Sequence, residues 1–180
     1  MKKVIKGVML GILILCILGL AFSMAQHRST QPPHHSHPTA KTSSPKRSKP
    51  LTMTEFNHHS KLAFSSVIYF AIKHVNIQRW QEVSDFSLGW QVEIHRTTKG
   101  NHYLVWPNKD IKETEKQLEP NWFEIKHRNQ IVYHSLVVHS FGEVQTHTTT
   151  ANTIIRRINA DHAENKVRRM VVNMTVIKDN

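Results

Sequence analysis

An uncharged run from Gly7 to Gln26, preceded by Lys2, Lys3 and Lys6, removes the start of this chain from any water-soluble core. About 20 apolar residues at ~1.5 Å rise span a hydrocarbon core of ~30 Å, so residues 7–25 fit a transmembrane helix. The same residues fit a signal peptide. They offer a basic n-region, an apolar h-region and the small-x-small sequence Ser23-Met24-Ala25, with cleavage after Ala25. The apolar region exceeds the usual ~7–15 residues of a signal peptide, which favours a retained anchor. In both cases the three lysines hold the N-terminus in the cytoplasm and the remainder is exported. The expected location is therefore the cell membrane, single-pass with the C-terminal domain outside, or secretion after cleavage. Cys16, the one cysteine, lies within this run and reads as a small hydrophobe. A disulfide scaffold and a Cys-rich metal site within one chain are excluded.

Residues 26–50 carry five prolines, many Ser, Thr and His, and almost no apolar side chain. Such a composition buries too little surface to offset ordering entropy, so a disordered, extended linker is expected. Arg28, Lys41, Lys46, Arg47 and Lys49 give it five positive charges and no acid. Of the formal +11, only +3 belongs to residues 51–180. The basic pI is thus a property of the tails, and no specific nucleic-acid contact is expected. The five linker cations are the candidate contacts for anionic wall polymers, through nonspecific, salt-sensitive attraction. A solvated stalk is the plainer alternative. His34, His35 and His37 are weak candidates for Zn²⁺ or Cu²⁺, because a flexible site must lose chain entropy to bind and no fourth ligand is evident.

Residues 51–180 read as one extracytoplasmic α+β domain. Thr52-Met53-Thr54-Glu55 is a capping box. Phe56, Ala63, Phe64, Val67, Ile68, Ala71, Ile72 and Val75 then recur at helical spacing, which predicts one long amphipathic helix to about His74. Trp80 and Val83 fit a short continuation that packs on the core. The period next changes to two. Trp90, Val92 and Ile94 alternate with Gln91, Glu93 and His95, and further strands are expected at 102–106, 122–127, 131–140 and 143–147. The order implies an antiparallel meander of four to five strands. Thr148, Thr149 and Thr150 offer N-caps for a helix carrying Ile154, Ile155 and Ile158. Asp161 is expected to cap a last helix carrying Ala163, Val167, Met170, Val171 and Met174.

The cationic leader with its Ser/Thr/Pro spacer, the Leu51-Thr52-Met53-Thr54 start of a helix and the Thr149-to-Val172 helix pair together resemble a family of lactobacillus proteins. Those are small, secreted or membrane-anchored, and carry one extracellular domain of unknown function. The resemblance implies a Gram-positive envelope location and a similar fold, and it brings no activity to any residue.

Chemistry is sparse. The chain holds no H-E-x-x-H, G-x-S-x-G, Walker A or dinucleotide fingerprint. Ser135, Ser140 and Asp161 are triad members available only if the fold unites them. Glu113, Glu115, Glu119 and Glu124, interleaved with Lys112, Lys116 and Lys126, read as a solvated charged face. Ten histidines fall in the domain, six of them in expected strands: His95, His102, His127, His134, His139 and His147. His95 is placed on the polar face of its strand and His127 on the buried one. Each exposed histidine that protonates near pH 6.5 adds to the positive charge, so acid is expected to strengthen polyanion attachment. Trp90, Trp106 and Trp122 are expected mainly in core packing, with an aromatic platform for sugars or peptides as the alternative. No catalytic residue and no cofactor is assigned. The leading reading is a noncatalytic surface domain that binds wall polymer or another envelope protein. A secreted hydrolase with a dispersed active site, or extracellular metal or polyanion capture, is the alternative.

Overall fold

The computed structural model describes residues 48–137 and 143–178, all within the unit Pro45–Asn180. The apolar run 7–25, Arg28, His34, His35, His37, Lys41, Lys46, Arg47, His139 and Ser140 lie outside the described residues. No helix among the described residues is long and apolar enough to cross a membrane.

The capping box forms as its residues require. Glu55 N–H donates to Thr52 Oγ1 at 3.2 Å, and Thr52 N–H donates to the Glu55 carboxylate at 3.0 Å. Helix α1 (Met53–His58) then ends at His59, whose φ of −125° and ψ of 92° are extended, and α2 (Ser60–His74) begins afresh. The single amphipathic helix expected from the spacing is therefore broken at His59. Every residue of α2 from Leu62 to Ile72 is buried, including Ser65 and Ser66. A helix that is hidden on all sides cannot keep a polar stripe. One side of α2 meets the sheet, where Phe64 packs on Tyr103 and Phe123 and the Tyr133 hydroxyl donates to Val67 O at 3.0 Å. The rest is covered by α3 (Ala151–Ala160) and α4 (Glu164–Met170).

Strands β1 (Trp90–Thr97), β2 (Gly100–Trp106), β3 (Asn121–Lys126), β4 (Gln130–Leu136) and β5 (Val144–Thr150) make the antiparallel meander. A further strand, β6 (Met174–Lys178), pairs parallel with β1 and gives the mixed order β5-β4-β3-β2-β1-β6. The sequence reading placed Met174 in the last helix. Instead α4 stops at Met170, Val171–Asn173 make a 3-10 turn, and Thr175, Val176 and Ile177 favour extended backbone through their branched Cβ. Gly89 is what lets β1 start beside that turn. Its φ is +70°, and a Cβ there would run into the backbone carbonyl and side chain of Asn173.

Period-two alternation divides the sheet. Trp90, Val92, Val105, Phe123, Ile131 and Tyr133 face the core and are buried. The opposite, outer face carries Gln91, Glu93, His95, His102, Leu104, Trp106, Trp122, Glu124 and His134.

Three further expectations are corrected. Asp161 does not cap the last helix; it is the C-cap of α3, and Ala163 precedes α4. His127 is exposed, because β3 ends at Lys126 and a 3-10 turn follows in which Arg128 and Asn129 take positive φ. Ser48–Pro50, assigned to the linker, are already tied to the fold. Ser48 Oγ donates to Glu164 at 2.8 Å, and Arg168 donates to the carbonyls of Lys49 at 2.7 Å and Pro50 at 3.2 Å.

Candidate functional site

The register of β1–β4 brings residues distant in sequence onto adjoining positions of the outer face. His95 lies opposite His102, His102 opposite Glu124, and Trp122 opposite His134. Glu124 is the hub. Its carboxylate is 2.7 Å from His102 Nε2 and 2.7 Å from Lys126 Nζ. His134 Nε2 is 3.4 Å away, outside hydrogen-bond geometry, and the His134 ring stacks on Trp122 with centroids 5.1 Å apart and planes within 8°. Burial works to raise the Glu124 carboxyl pKa, but Lys126, His134 and His102 outweigh it and hold the pKa below its usual value. Burial lowers the pKa of His134. Glu124 opposes that shift, and His102 and Lys126 add to it.

Glu93 is a second hub beside the first. It pairs with Lys116, accepts from Gln91 Nε2 at 2.8 Å and lies 3.4 Å from His95 Nε2. Burial is again outweighed, here by Lys116, Trp106, Gln91 and His95, so Glu93 stays ionised at a lowered pKa. Trp106 Nε1 contributes to this from outside hydrogen-bond geometry. Lys116 also pairs with Glu113, and its Nζ sits 5.5 Å from the centroid of the Trp106 ring. The segment between β2 and β3 is thereby strapped down over Gln91, Glu93 and Trp106, which explains why these outer-face residues are buried.

The same segment walls a cleft of about 240 Å³ at the end of the sheet, against the 3-10 turn Gln78–Val83. Ile111, Leu118, Pro107 and Pro120 supply its apolar lining, and Leu118 is 66% exposed. Arg79 is the one cation lining it among the described residues, and its guanidinium is engaged at all three nitrogens. It donates to Glu82 at 3.1–3.3 Å, to Leu136 O at 3.2 Å and to Glu119 O at 3.1 Å. Asn121 is 1% exposed and donates through Nδ2 to Arg79 O at 2.8 Å, while its Oδ1 accepts no hydrogen bond among the described residues.

The candidates named from sequence that lie among the described residues have separate surroundings. Ser135 is buried on the inner face of β4, and its hydroxyl has no hydrogen-bond partner among the described residues. Asp161 instead accepts from Tyr69 Oη at 3.2 Å and contacts His74 Nε2 at 2.7 Å. Burial first, then Asp161, pushes the Tyr69 phenol up to about 12. Lys49 is exposed and bound through its carbonyl. Trp90 is core, with its indole N–H donating to Val83 O at 2.8 Å, whereas Trp106 and Trp122 belong to the outer face. No group of three His, Cys, Asp or Glu among the described residues is placed to hold a metal ion. Sequence reasoning passed over Glu93, Gln91, Asn121 and Leu118. Strand parity carried a signal for Glu93 and Gln91, while the cleft depends on where an irregular segment lands. No family model, no curated protein and no solved structure matches the chain.

Proposed function

We propose that this chain is a noncatalytic binding module of a Gram-positive envelope, held outside the membrane by the N-terminal apolar segment and a basic linker. The observation that carries the reading is the state of the outer-face carboxylates. Glu93 and Glu124 are each neutralised by neighbouring cations and held ionised at lowered pKa. A hydrolase of the two-carboxylate kind needs one carboxyl pushed upward so that it stays protonated as an acid. A surface whose charges are paired and whose adjoining cleft is apolar suits recognition better than proton transfer. The resemblance to anchored lactobacillus proteins and the lysines before residues 7–25 support the location. Arg28, Lys41, Lys46, Arg47 and Lys49 add attraction to anionic wall polymers, weakened by salt.

Cosedimentation of the full-length chain with purified Gram-positive wall sacculi tests this. The chain is expected in the pellet with no release of soluble wall fragments over time. Time-dependent release would make it a hydrolase, and failure to pellet at low salt would remove the wall as partner.

A further inference from the structure

Resting on the tethered reading, we propose that the surface formed by α4, the turn Val171–Asn173 and the end of α2 docks on the anionic lipid bilayer in which the chain is anchored. Lys166, Arg169 and Val172 follow one another at a spacing of three, and α4 runs directly into the 3-10 turn, so the three side chains form one row. Lys73, in the last turn of α2, is close enough to act electrostatically on Lys166.

No acid pairs with these cations. The Lys and Arg ion pairs of the described residues use Arg79, Lys109, Lys116, Lys126 and Arg168, and Lys73, Lys166 and Arg169 make none. Lys166 instead lies over the Phe86 ring, its Nζ 3.8 Å from the centroid. Burial first, then the charges of Lys73 and Arg169, lower its pKa. The acids nearest in sequence are engaged elsewhere. Asp85 accepts from the Ser87 N–H and hydroxyl, Glu164 from Ser48, and Asp161 from Tyr69 while contacting His74. Three cations left in mutual repulsion make a place for an anion.

Apolar side chains beside them select which anion. Val172 is 86% exposed, the most of any large apolar side chain among the described residues. Leu88, 47% exposed, stands on the loop bound to the same turn, where Asn173 Nδ2 donates to the carbonyls of Phe86 at 2.8 Å and Ser87 at 3.2 Å. A wall polymer of polyol phosphates would meet the cations but offers Val172 and Leu88 nothing apolar. A bilayer offers both, with phosphates at headgroup level and hydrocarbon beneath them. The hollow of about 450 Å³ lined by Phe86, Lys166, Arg169, Met170 and Asn173 gives a headgroup room beside the cations. The tether favours the encounter. Ser48 and the carbonyls of Lys49 and Pro50 are bound to α4, and in an anchored chain only residues 26–47 separate them from the membrane segment. Such a connection raises the effective concentration of the surface at the bilayer, so a weak contact suffices.

The test reconstitutes the full-length chain, with Cys16→Ser and with Val172→Cys carrying an environment-sensitive fluorophore, in vesicles that contain spin-labelled lipid. In equal parts of phosphatidylglycerol and phosphatidylcholine the label is expected to shift to the blue and to be quenched. In phosphatidylcholine alone, and at a control label on exposed Thr148 of the outer sheet face, it is expected to report water. Each cation near an anionic surface contributes about a fivefold factor. Arg169→Gln, at an exposed side chain, is therefore expected to weaken docking about fivefold, and Lys73→Gln, Lys166→Gln and Arg169→Gln together roughly a hundredfold. Quenching at position 172 that is absent with phosphatidylglycerol, equal in phosphatidylcholine alone, equal at position 148 or untouched by Arg169→Gln overturns the proposal. A larger shift from soluble poly(glycerol phosphate) than from phosphatidylglycerol overturns it in favour of a wall polymer. Alkaline carbonate extraction of the same vesicles separates the two readings. A chain that stays inserted with its label unquenched overturns the docking alone, and a chain that carbonate removes overturns the tether and the docking together.

Discussion

At the scale of residues, His134 is the group whose environment is easiest to translate into a measurement. It is stacked on Trp122, largely buried, and faced by Glu124, His102 and Lys126. Its folded pKa lies below the ordinary 6.5, so just below pH 6.5 the unfolded chain binds more protons at this site than the folded one. Stability from this group is complete above pH 6.5 and falls as the pH drops from 6.5 toward the folded value. The urea midpoint is expected to decline between pH 7.5 and pH 5.5, and the decline should be smaller in His134→Gln. An equal decline in both chains would place the effect elsewhere. Tyr133→Phe deletes the hydroxyl that donates to Val67 O from a fully buried position. A loss of about 1 kcal/mol is expected by equilibrium unfolding, and no loss would mean the bond is not made in solution. The sequence already placed His95, His102 and His134 among six histidines in expected strands, because composition and period are visible without a fold. It could not show that Glu124 gathers two of them, since β2, β3 and β4 meet only through their register. His127 misled because it follows the parity of Phe123 and Ile125, yet the chain leaves the strand one residue earlier.

The elements differ in how much of each was local. The capping box, the period-two alternation of β1 and the threonines before α3 act within a few residues, and α1, β1 and α3 begin where the sequence put them. The break at His59 and the strand β6 do not act locally. α2 is buried from all sides by partners far along the chain, and β6 exists because β1 offers it a free edge. Gly89 and Lys116 test these long-range couplings. Gly89→Ala forces a Cβ against Asn173 at a positive φ, and is expected to cost more than about 1 kcal/mol and to loosen β6 in hydrogen exchange. Unchanged protection of Thr175–Ile177 would contradict the tight approach. Lys116→Met leaves Glu93 without its main partner in a largely buried setting. A loss on the order of 1–3 kcal/mol is expected, with faster proteolysis between β2 and β3. Proteolysis at the original rate would show that Lys116 is not what straps the segment down. The cleft itself was illegible beforehand, because residues 107–120 have no period and their path is set by Lys116 and by Arg79 reaching Glu119 O.

At the scale of the whole molecule, charge is divided unevenly along the chain. The net charge is concentrated in residues 1–50, while the folded part balances 16 basic against 13 acidic side chains. Attachment through the linker should therefore fade with salt, and recognition by the domain should not. Wall binding measured at 0.05 M and 0.5 M salt is expected to drop sharply but to leave a salt-resistant remainder. A complete loss at high salt in the unaltered chain would leave the domain without a role in binding. The wall-binding reading requires the chain to be tethered with its domain outside. The decisive measurement is protease treatment of intact cells followed by membrane fractionation and intact-mass analysis of the natively expressed protein. The account predicts a full-length chain in the membrane fraction whose residues 48–178 are removed by protease added to whole cells. A chain that stays protected in intact cells, or that is found in the cytosol, would contradict it.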